Sequence, residues 1–95
     1  MEVVRLRLRF AIELIVSAGT TKKILTNCLR PPGMYYFVPN EDMCKHHLNI
    51  KIAEANDWHP YIELLISNNS KYLFSLKEDD ILGTIMLLSD NAPIR

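Results

Sequence analysis

The sequence predicts an α+β domain: a mainly antiparallel sheet of four or five strands, with one or two short helices on one face. Three observations lead there. Several short stretches alternate apolar and polar residues at a spacing of two, the period of a half-buried strand. Fewer stretches repeat apolar residues at helical spacing. The strand-like stretches follow one another through short connections, which favours antiparallel pairing with the helices covering one face.

The first element carries the clearest signal. Val4, Leu6, Leu8, Phe10, Ile12, Leu14 and Val16 are apolar at every second position, and Arg5, Arg7 and Arg9 fall between them. A run of this length exceeds the usual strand, so a bulge or bend is expected near Ala11. On that reading it is the longest element and organises the sheet. Ala11, Leu14, Ile15 and Ala18 also fit a helical stripe, which leaves residues 11–18 open between strand and helix.

After Gly19, Thr20 or Thr21 can cap a helix over about residues 21–29, with Ile24, Leu25, Cys28 and Leu29 as its buried stripe. Pro31-Pro32-Gly33 ends it as a type II turn, Pro32 fixing φ and Gly33 supplying positive φ. Met34 to Val38 reads as a short aromatic strand stopped by Pro39 and Asn40. Residues 40–47 read as one or two helical turns. Asn40 is the N-cap, Glu41 and Asp42 sit in the first turn, and Lys45, His46 and His47 sit in the last, matching the helix dipole.

Leu48, Ile50 and Ile52 form another alternating strand, and Asn56 to Pro60 form a loop. Tyr61 to Ser67 is a strand, Asn68-Asn69-Ser70 a hairpin turn, and Lys71 to Leu76 its expected partner. Ser75 and Glu78 resemble a capping box before a stripe of Ile81, Leu82, Ile85 and Met86, which favours helix over strand for residues 79–88. Pro93 marks a loose tail from about residue 89.

Composition narrows the function classes. The 95 residues are expected to form one globular domain, 48% hydrophobic and 23% charged, as in ordinary folded proteins. Eleven basic residues offset eleven acidic ones, which argues against a dedicated nucleic-acid or anionic-membrane protein. The stretch Phe10–Val16 contains Glu13 and is too short and polar to span a bilayer. It also lacks the pattern of a signal peptide, so no membrane association is expected. Two cysteines, Cys28 and Cys44, are too few for a disulfide scaffold and point to an intracellular protein, cytoplasmic or nuclear. Without export, the Asn68-Asn69-Ser70 sequon is simply a turn.

Candidate chemistry is thin. Cys44, His46 and His47, with Cys28 and His59 at unrelated spacings, lack the two-pair pattern of a zinc site, so no metal is expected. The carboxylate pairs Glu41-Asp42 and Asp79-Asp80 fall at expected helix starts, where capping accounts for them. The three glycines form no phosphate-cradling loop. Neither an enzyme, nor a cofactor, nor a small-molecule ligand is expected.

Surfaces are more informative. Arg5, Arg7 and Arg9 lie about 6.6–6.8 Å apart along one strand face. Solvation or pairing with neighbouring carboxylates explains such a stripe most simply. Trp58 and Tyr61 flank His59 and Pro60 in a loop of the kind that anchors interfaces. In Tyr35-Tyr36-Phe37 the period of two sends Tyr36 away from its neighbours, so one large ring must avoid the core. The leading expectation is therefore a protein–protein interaction module, a small subunit or adaptor of a larger assembly or a homodimer. Its contact residues are Arg5, Arg7, Arg9, Tyr36, Trp58 and Tyr61. The alternative is a small nucleic-acid-binding domain using Arg5, Arg7 and Arg9 with Lys22, Lys23 and Tyr35.

Overall fold

The computed structural model describes residues 2–8, 13–54 and 60–88. Its elements run β1 (Glu2–Leu6), β2 (Glu13–Val16), β3 (Thr21–Leu29), β4 (Tyr35–Pro39), α1 (Glu41–Lys45), β5 (Leu48–Ile52), β6 (Tyr61–Asn68), β7 (Phe74–Lys77) and β8 (Gly83–Leu87). Pairing is antiparallel throughout, but in three small sheets rather than one: β1-β8-β4, β2-β7 and β3-β6-β5. The fold is mostly β with a little helix.

The opening alternation is real but does not make one long strand. Leu6 and Leu8 are buried, while Arg5 and Arg7 are exposed. β1 pairs with β8, whereas β2 pairs with β7. Between them the chain leaves the first sheet. The Arg7 N–H donates to Asn27 Oδ1 at 3.0 Å, the Asn27 N–H donates to the Arg7 carbonyl at 3.0 Å, and Leu8 bridges Thr26. The expected single organiser is thus two strands serving two sheets. The bend expected near Ala11 falls outside the described residues.

Two expected helices are strands. Residues 21–29 form β3, in which Ile24 and Thr26 are both buried at a spacing of two. The register shifts between Leu25 and Leu29, yet the inward positions stay two apart, at Ile24, Thr26 and Cys28. A polar Thr26 on the inward side and Leu25 and Leu29 on the outward side give the apolar residues helical spacing in the sequence. Leu29, assigned to the buried stripe, is 56% exposed. Thr26 is satisfied in the core, its Oγ1 donating to the Ile62 carbonyl at 2.9 Å and accepting the Cys28 N–H at 3.2 Å.

The C-terminal stripe likewise becomes β8, the central strand of its sheet. Gly83 shows why the backbone is extended and close-packed there. A Cβ at this position would lie 2.5 Å from the Phe37 ring and 2.7 Å from the Val38 carbonyl oxygen. Asp80 caps a turn rather than a helix, its Oδ2 accepting the Lys77 N–H at 2.8 Å. Pairing with β1 and β4, distant in sequence, outweighs the local helical pattern.

The 68–70 hairpin also fails. β6 pairs with β3 and β5, while β7 pairs with β2. Asn68 is fully buried and serves as a hub instead of a turn residue. Its side-chain amide donates to the carbonyls of Val16 at 2.9 Å and Tyr72 at 2.8 Å, and its Oδ1 accepts from the Ser70 N–H and hydroxyl. A nitrogen so engaged is no glycosylation acceptor in the folded protein. Gly33 does not take the positive φ of a type II turn; Gly19 does, at 73°.

Other expectations hold. α1 is capped by Asn40, whose Oδ1 accepts the Asp42 N–H at 2.8 Å, with Glu41 and Asp42 in its first turn. β5 and β6 lie where the alternation puts them. One hydrophobic cluster draws on all three sheets: Leu6 and Ile85, Val16 and Leu76, and the β6 residues Ile62, Leu64 and Ile66. Met43 brings α1 into the same cluster. Each fully buried Leu or Ile contributes about 1.5–3 kcal/mol relative to exposure.

Candidate interaction surface

The first sheet has two unlike faces. On its inner face Val4, Ile85 and Phe37 lie in one cross-strand row and meet the core. On its outer face the rows are Val3–Met86–Tyr36 and Arg5–Thr84–Val38. Met34 and Leu88 extend it by one row, held together by the Leu88 N–H donating to the Met34 carbonyl at 3.0 Å. Val3 is 55% exposed, Met34 74%, Tyr36 53% and Val38 43%. Met86 and Leu88 are half-buried between them.

Local sequence explains this arrangement. β4 reads Tyr-Tyr-Phe-Val-Pro and carries no charge, so period-two alternation exposes apolar side chains whichever face turns outward. Tyr35 and Phe37 take the core side. Met34, Tyr36 and Val38 are left outside. Among the described residues, the rows of this face hold no carboxylate, and Arg5 stands at one end of them. Arg5 and Arg7 form no ion pair among the described residues; an exposed Lys45–Asp42 contact at 3.8 Å lies on α1.

The structure brings together only some of the residues singled out from the sequence. Arg5 and Tyr36 share the outer face of the first sheet. Arg7 is exposed where the chain passes from β1 towards β3. Arg9 and Trp58 lie outside the described residues. Tyr61 is half-buried and lines a small cavity of about 90 Å³ with Arg30, Tyr35, Ile52 and Glu63, away from Tyr36. Tyr35 packs against the core, which removes it from any base-stacking platform. Lys22 and Lys23 are exposed on β3 but alternate in direction, and Lys23 sits on the outer face of the β3-β6-β5 sheet.

Sequence reasoning missed Val3, Met34, Val38 and Met86. The alternation of residues 34–38 places Met34 and Val38 beside Tyr36, so that signal was present. Met86 was obscured by the helical stripe.

The remaining surface offers little chemistry. An open groove of about 300 Å³ is lined by Asp42, His46, Asp79 and Asp80 over Met43 and Phe74. The His46 and Phe74 rings are 5.0 Å apart. Among the described residues no three His, Cys, Asp or Glu side chains converge as metal ligands would, and Cys44 is exposed apart from Cys28. No helix among them is long and apolar enough to cross a membrane. No protein-family model matches the chain, no curated protein matches it in sequence, and no solved structure matches it.

Proposed function

We propose that this protein is a non-enzymatic protein–protein interaction module, a subunit or adaptor that docks another protein on the outer face of its β1-β8-β4 sheet. One observation carries the reading: four large apolar side chains, Val3, Met34, Tyr36 and Val38, are exposed together on one sheet face. Single exposed apolar residues are ordinary, whereas a contiguous apolar patch marks a contact surface. Tyr also ranks among the residues that dominate interface energetics. An intracellular setting accords with the two unbridged cysteines, Cys28 and Cys44.

Site-specific photo-crosslinking in the native host tests this. A benzophenone side chain at Tyr36 or Val38 is expected to capture a discrete protein adduct, and one at Leu65 on the opposite sheet is expected to capture none. Absence of adducts at residues 36 and 38, or equal adducts at all three positions, defeats the reading. Nucleic acid crosslinked at Arg5 and Arg7 would favour the alternative, which is weakened by the inward packing of Tyr35 and by the scatter of Arg5 and Lys23 over two faces.

A further inference from the structure

We draw no further inference here: the strongest candidate, the open groove beside α1 lined by Asp42, Asp79 and Asp80 over Met43 and Phe74, is an acidic cluster with nothing among the described residues that marks a ligand.

Discussion

The two three-stranded sheets are built alike and finished differently. Each has a central strand, β8 or β6, flanked by two antiparallel neighbours, and each sends its inner face into the same core. On the outer face of β3-β6-β5, Leu65 lies between Lys23 and Lys51, and Ser67 lies between Thr21 and Asn49. On the outer face of β1-β8-β4, Met86 lies between Val3 and Tyr36. The fold therefore does not require an apolar outer face. The outer face of β3-β6-β5 sets Leu65 between two lysines and Leu25 opposite Glu63, whereas the middle row of the β1-β8-β4 outer face carries no charge.

The comparison can be broken first at the shared inner faces. Leu64→Ala and Ile85→Ala remove fully buried side chains from the two central strands, and each is expected to cost about 2–5 kcal/mol by chemical denaturation. A loss confined to Leu64 would mean that the first sheet contributes little to the core. Asn68→Ala should cost about 2–3 kcal/mol, because it leaves the Val16 carbonyl and the Ser70 N–H without their Asn68 partner, while the Ser70 hydroxyl can still donate to the Tyr72 carbonyl. Gly83→Ala should cost about 1–3 kcal/mol through the clash with Phe37 and Val38, in a strand where Ala is otherwise harmless.

The outer faces sharpen the comparison with smaller effects. Leu65→Glu is expected to leave the melting temperature unchanged or raise it slightly, since Lys23 and Lys51 flank the new carboxylate and cross-strand opposite charges contribute about 0.2–1 kcal/mol. Tyr36→Glu should change stability by no more than about 0.5 kcal/mol, its ring being half exposed.

Much of this contrast was legible before the structure. Arg5 and Arg7 outward, Leu6 and Leu8 inward, the capped helix at Asn40, and the strands at 48–52 and 61–68 all follow from local periodicity and capping chemistry. β3 and β8 were not legible, for related reasons. In β3 the inward position 26 is a threonine and the outward positions 25 and 29 are leucines, so the apolar residues fall at helical spacing although the strand alternates. In β8 the residues Leu82, Ile85 and Met86 carry helical spacing, and only long-range partners in β1 and β4 hold the segment extended. Asn68 shows the same limit. As part of an Asn-Asn-Ser turn signal it looks exposed, yet the carbonyls that bury it come from Val16, fifty-two positions earlier, and from Tyr72. Among the surface residues Tyr36 was found from its odd position in an aromatic run, whereas Tyr35 and Tyr61 were indistinguishable from it in sequence and turn out to face inward or line a cavity.

The most direct measurement of the difference between the two faces is parallel affinity capture from the native host with wild-type protein, Tyr36→Glu and Leu65→Glu, each first shown to melt at the wild-type temperature. Partner protein retained by wild type and Leu65→Glu, and lost by at least about tenfold with Tyr36→Glu, is the expected result. Equal retention by all three, or equal loss with both variants, would contradict the assignment of the β1-β8-β4 outer face as the docking surface.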